Sequence, residues 1–132
     1  MEIYLDNQLY STLEEALPHF LKATSVVVRD CQALTKFNSY EQLSDVQCEA
    51  NLKIVAKIAL SSPESLRMDS VHFCDTTHCI AGTATHFLQD GKGMEKKLGW
   101  WLAGKFLLGK DAASHFGDSQ NDGLKYLQGV VA

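Results

Sequence analysis

The chain has 132 residues, 45% of them hydrophobic and 21% charged, which suits one soluble domain with a single core. Its net charge of −4 is uneven: residues 1–50 hold eight acids against three bases (−5), and residues 51–132 hold eight against nine (+1). Neither half has the basic surplus that non-specific nucleic-acid binding needs.

The opening Met1-Glu2-Ile3-Tyr4-Leu5-Asp6 lacks the basic and apolar regions of a secretory leader, and no apolar run is long enough to span a bilayer. A cytoplasmic protein with its four cysteines reduced is therefore expected. Ile3-Tyr4-Leu5 and Gln8-Leu9-Tyr10 flank Asp6-Asn7, a pair suited to the positive-φ positions of a hairpin turn. Ser11-Thr12-Leu13-Glu14 reads as a capping box with Ser11 as N-cap. Leu13, Ala16, Leu17, Phe20 and Leu21 follow at helical spacing, with Pro18 kinking or tightening the helix. Val26-Val27-Val28 is β-branched throughout and predicts a third strand. The chain thus reads as one α+β domain, a small ββαβ sheet layer over 1–38 and a mostly helical core over 39–132.

Ser39 or Ser44, each with a Gln three residues on, begins the next helix. Its apolar face is Leu52, Val55, Ala56 and Ala59, widened by Ile54 and Ile58, and Ser61-Ser62-Pro63 ends it. Then comes the stretch that the core is expected to surround, from Cys74 to His86. Thr76 reads as the N-cap of a central helix over about 76–89. Ile80, Ala84, Phe87 and Leu88 share one face of it, and Cys79, Gly82 and His86 the other. A glycine inside a helix costs roughly 1 kcal/mol, so Gly82 implies that another backbone approaches closely there. Asp90-Gly91-Lys92-Gly93 is expected to stop this helix, and Met94, Leu98, Trp101, Leu102 and Phe106 mark one more, closed by Gly109. Asp111 caps a short helix through Phe116. A loop over residues 118–123 precedes a tail, 124–127, of undecided type.

Cys74-x4-Cys79-Ile80-Ala81-Gly82, with Asn51-Leu52-x-x-Val55-Ala56 and Pro63-Glu64-x-Leu66-x-Met68 ahead of it, resembles an uncharacterised group of small bacterial and phage proteins. Their shared pattern reads approximately C-G-T-x-x-C-x-A-G-W. The likeness runs from about Asn51 to Phe116 and implies a fold core and a bacterial or mobile-element setting, with no activity attached. Asp75 stands where that group has glycine, and Thr83 where it has an aromatic, so no role of that aromatic carries over.

Four constellations bear on chemistry. Cys79 in the first turn of a helix is a candidate nucleophile, with His86 or His78 as base, although His86 lies two turns away, about 10 Å along the axis. His72, Cys74, His78 and Cys79 are candidate metal ligands, without the distant second pair that zinc modules carry. Cys74 and Cys79 are either packed thiols or a widely spaced redox pair. Trp100, rimmed by Lys96 and Lys97 and turned away from the Leu98–Trp101–Leu102 stripe, is a candidate protein-contact anchor. Two imitations fail. Gly104-x4-Gly109-Lys110 has Asp111 where a phosphate loop needs a hydroxyl, and Asp118-x-Gln120-x-Asp122-Gly123 lacks the glutamate that closes a calcium loop.

With no complete catalytic set, the expected function is a non-catalytic protein-interaction module. An accessory or inhibitor protein of phage or mobile-element type fits, with a protein partner, no cofactor, no sequence-specific nucleic acid and no membrane. A Cys79-dependent thiol enzyme or redox protein is the first alternative, and a Cys/His metal-binding protein the second.

Overall fold

In the computed structural model, which describes residues 2–16, 18–19, 26–29, 40–88 and 90–132, the N-terminal segments form a ββαβ layer. Strands β1 (Glu2–Leu5) and β2 (Gln8–Tyr10) make the expected hairpin, with Asp6 at φ 49° and Asn7 at φ 69°. Both turn residues thus occupy the left-handed region that a tight two-residue connection demands. Strand β3 (Val26–Arg29) lies antiparallel on the other side of β1, giving the order β2-β1-β3. Ile3, Leu5 and Ala16, the last on α1 (Leu13–Ala16), bury the inner side of this layer. Thr12 caps α1, not Ser11: Glu15 N–H donates to Thr12 Oγ1 at 3.3 Å. The chain stays extended through Tyr10, so helical dihedrals begin a residue later than the capping box suggests. Leu17, Phe20, Leu21, Cys31 and Ser39 lie outside the described residues.

Helix α2 (Asp45–Ala59) begins at Ser44, whose hydroxyl accepts from Gln47 N–H while the Gln47 side chain accepts from Ser44 N–H. This reciprocal cap satisfies two donors that the helix cannot satisfy itself. Ile54, Val55, Ala56, Ile58 and Ala59 are buried and Leu52 partly so, as the spacing predicts. The chain then forms a second hairpin, β4 (His72–Cys74) and β5 (Thr77–His78), before helix α3 (Ile80–Phe87). Helices α4 (Gly91–Leu98), α5 (Trp100–Leu108), α6 (Lys110–Ala113) and α7 (Gln120–Val131) complete an α+β fold. Helix α3 packs against α2, α4 and α5, and each of its residues except His86 is buried. No helix of the described residues is long and apolar enough to cross a membrane.

Three boundaries differ from expectation, each for a backbone reason. Asp90 takes a left-handed φ of 62° and turns the chain, so Gly91 opens α4 instead of ending α3. The single helix expected over Met94–Phe106 is two, because Gly99 at φ 84°, ψ 162° breaks it and closes α4 through Gly99 N–H to Glu95 O, 2.8 Å. Gly109, at φ 94°, precedes α6 in the cap position assigned to Asp111. The tail is helical, with Ser119 Oγ accepting from Asp122 N–H. Gly104 sits inside α5 against Ala81 and Phe116, which confirms that it belongs to no phosphate loop.

Gly82 explains how a hairpin can lie directly on α3. A Cβ placed there would fall 1.8 Å from the Val71 carbonyl oxygen and 2.8 Å from its carbon. Backbone meets backbone at this point, as the glycine implied, and the strand entering at Val71 is set flush against the helix. Gly82→Ala should therefore lower stability by about 3 kcal/mol, roughly 10 °C in melting temperature, by forcing the two backbones apart. Gly129→Ala on α7, where a Cβ meets nothing within 4 Å, should be neutral or stabilising. A melting temperature for Gly82→Ala equal to the parent's would refute this account of the packing.

Candidate metal centre

The second hairpin occupies the residues expected to start the central helix. Its backbone is held by a neighbouring segment: His78 N–H donates to Ser65 O (3.3 Å), Arg67 N–H to His78 O (3.0 Å) and Cys79 N–H to Ser70 O (3.0 Å). Thr77 Oγ1 donates to Glu64 O at 2.7 Å. These bonds keep residues 77–79 extended, so the cap moves from Thr76 to Cys79, whose Sγ accepts from Gly82 N–H at 3.3 Å.

This shift brings three histidines together. His78, at the end of β5, lies along the flank of α3 over the space that Gly82 leaves open, its Cβ 3.2 Å from where a Gly82 Cβ would be. One turn further along that face stands His86, and the two rings stack with centroids 4.4 Å apart. His72, paired with His78 across the hairpin, meets it edge-on at 4.9 Å. Phe87 closes the inner side, edge-on to His78 at 5.6 Å and to His86 at 4.7 Å. One nitrogen from each of the three rings lies within 4.8 Å of the others. The group lines an open cleft of about 420 Å³, bounded also by Cys74, Asp75, Lys92 and Glu95.

The hydrogen bonds fix where the protons sit. His72 Nε2 lies 2.6 Å from Glu95 Oε1, which also receives Thr85 Oγ1–H at 2.8 Å. His78 Nε2 lies 3.0 Å from the Asp75 carbonyl oxygen. Carboxylate and carbonyl oxygens can only accept, so each Nε2 carries its proton and, in the neutral ring, each Nδ1 carries a lone pair. Those two Nδ1 atoms face one another at 2.7 Å. Two lone pairs at this distance would repel, so the contact is a hydrogen bond through one shared proton, and an ion bound at about 2.0–2.1 Å from each nitrogen would hold the two atoms further apart.

The surroundings keep His78 and His86 neutral. Burial comes first for His78, which is 1% exposed: it lowers the pKa, helped by the neighbouring His72, against the pull of the Asp75 and Val71 carbonyls. His86 is lowered to about 4, by burial first and then by His78, Lys92 and His72. Neutral imidazole is the form that ligates.

The residues singled out from sequence divide as follows. His72 and His78, two of the four expected metal ligands, are in the centre. Cys79 is not: it is buried, its Sγ caps α3 by accepting the Gly82 amide, and burial raises its pKa. Cys74 is exposed at the rim, 3.6 Å from Thr76 Oγ1, outside the group of ligand nitrogens. His86, considered only as a base for Cys79, faces His72 and His78 instead. Cys74 and Cys79 are both free thiols, not a disulfide. Glu95 and Thr85 went unnoticed in the sequence. A carboxylate on the helix after a histidine cluster is too common a pattern to stand out, and only the turn at Asp90 brings α4 back to α3. Trp100 and Trp101 do not line the cleft; they are 38% and 46% exposed, so Trp101 does not belong to the core stripe. Both rest against Phe116, which caps the buried face of α5 in their place. Lys97 lies over the Tyr40 ring at 5.8 Å.

No family model, curated protein or solved structure matches the chain significantly.

The thiols order themselves by environment. Cys74 is lowered to about 7 by hydrogen bonds from the Thr77 hydroxyl and then from Thr76, although Thr77 also commits its proton to Glu64 O at 2.7 Å. Burial raises both Cys48 and Cys79. Among these three, Cys74 should be alkylated first at pH 7, with Cys48 and Cys79 following only on unfolding, as peptide mapping of a labelling time course would reveal. Early labelling of Cys79 would contradict its role as a cap.

Proposed function

We propose that this protein binds a divalent transition-metal ion of borderline softness, zinc first, through Nδ1 of His72, Nδ1 of His78 and a ring nitrogen of His86. The observation that carries the reading is the convergence of three imidazoles, one nitrogen from each within 4.8 Å of the others, on the wall of an open cleft. Glu95 and the Asp75 carbonyl engage the Nε2 atoms of His72 and His78, which leaves their Nδ1 atoms on the side of the cluster that an ion would occupy. Imidazole ligands select this class of metal over magnesium or calcium, which prefer oxygen. The outer partners also fit. A ligating histidine is usually held by a carboxylate or carbonyl on its other nitrogen, and Glu95 and the Asp75 carbonyl stand in those positions. Three imidazoles leave a fourth position for water or another ligand, as in zinc sites that remain open.

A protein-contact role is the second reading, supported by the neighbouring exposed rings of Trp100 and Trp101 at the start of α5. The two readings concern separate surfaces and are compatible.

Zinc should bind at one ion per chain in a chelator-competition titration. His72→Ala and His86→Ala, which alter the two less buried rings, should each weaken it more than about a hundredfold, and Glu95→Gln about tenfold. At a hundredfold excess over its dissociation constant, zinc should stabilise the parent by about 2.7 kcal/mol and leave the histidine variants unchanged. Parent-like zinc affinity in both histidine variants would sink the reading.

A further inference from the structure

The rings of His72, His78 and His86 would hold an ion from one side, and the cleft they line is shared with Cys74, Asp75, Lys92 and Glu95. The charges there are unequal in effect. Glu95 is engaged by His72 Nε2 and Thr85 Oγ1, which fixes its carboxylate as an outer support for the ring. Asp75 is exposed at the hairpin turn, and its backbone carbonyl, not its side chain, is the group that holds His78. Lys92, in the first turn of α4, lines the same cleft as His86 and brings a cation to its wall. Histidine ligands add no charge, so an ion of charge +2 with Lys92 exceeds Glu95 and Asp75 by +1. The excess sits where water can be exchanged.

Resting on the metal reading above, we infer that this cleft takes a small oxyanion, a carboxylate or a phosphate, with one oxygen on the open metal position and another on the Lys92 ammonium. Both classes carry paired anionic oxygens, which suits two cations on the wall of one cleft. A hard anionic oxygen can displace metal-bound water without any ring moving. Cys74 is the competing occupant of that position, because its thiol lies on the same cleft. In the structure its Sγ turns toward Thr76 Oγ1 instead, at 3.6 Å.

The test uses the full chain loaded with cobalt(II), whose visible absorption reports its ligands. Inorganic phosphate and acetate are titrated separately against it and against Lys92→Ala and Lys92→Arg. The expected result is a saturable spectral change with at least one anion, weakened about tenfold in Lys92→Ala and restored in Lys92→Arg, with cobalt affinity unchanged in both. The anion that saturates at lower concentration identifies the class. Tightly bound cobalt whose spectrum ignores both anions, or responds equally without Lys92, overturns the inference while leaving the metal site standing. A sulfur-to-cobalt charge-transfer band lost in Cys74→Ser also overturns it, by assigning the fourth position to Cys74. Failure of cobalt to bind at all strikes the metal reading itself.

Discussion

The contact between the Val71 carbonyl and Gly82 sets the geometry of everything around the cleft. With any side chain at position 82, the strand beginning at His72 could not lie on α3, since even a methyl group would fall 1.8 Å from Val71 O. The same missing side chain opens the lane along which His78 reaches His86. One glycine therefore does two things: it seats the hairpin, and it lets a residue before the helix meet a residue near its far end. Its cost in helix propensity, roughly 1 kcal/mol, is small beside the overlap that a larger residue would cause.

Around this contact the protein assembles three histidine rings, one nitrogen of each within 4.8 Å of the others. Burying imidazoles disfavours their charged forms, so His78 and His86 are held below their ordinary pKa values. Meanwhile the acceptors on both Nε2 atoms leave the Nδ1 atoms of His72 and His78 facing each other across a hydrogen bond of 2.7 Å. A fold selected for stability alone would replace one of these rings by an apolar side chain, because Phe87 and the core are already adjacent. A partly buried polar cluster of this kind, inside an otherwise consistent fold, is where function is to be sought.

The periodic and punctuated parts of the chain were legible. Asp6-Asn7 gave the first hairpin, Ser44 with Gln47 gave the start of α2, and Gly82 announced a close approach before its partner was known. The errors share a cause: local signals overridden by bonds to distant residues. Thr76 is a sound N-cap by composition, yet Ser65 and Ser70 hold residues 78 and 79 extended and push the helix start to Cys79. The Met94–Phe106 stripe has helical spacing throughout, but Gly99 breaks it, and the changed direction of α5 leaves Trp101 outside the core. The candidate centre was half legible for the same reason. His72 and His78 were visible as ligands because they are close in sequence. His86 was placed on the face of Cys79, since a helix beginning at Thr76 would have carried both.

The register of that helix start also decides what an ion would do to the protein. Strands β4 and β5 are only three and two residues long, and a hairpin so short is marginal by itself. Its ties to the rest run through Glu64, Ser65 and Ser70 on one side and through the Val71–Gly82 contact on the other. A metal ion held by His72, His78 and His86 would add a third tie, joining β4, β5 and α3, and Glu95 would extend it to α4. Such an ion favours the arrangement that it binds over any state with the hairpin detached, so its binding free energy appears as local rigidity in this region. The N-terminal sheet contributes no ligand to the cluster and should feel the ion only through global stability. Occupancy of the cleft would thus set the order of the hairpin that supplies two of the three rings.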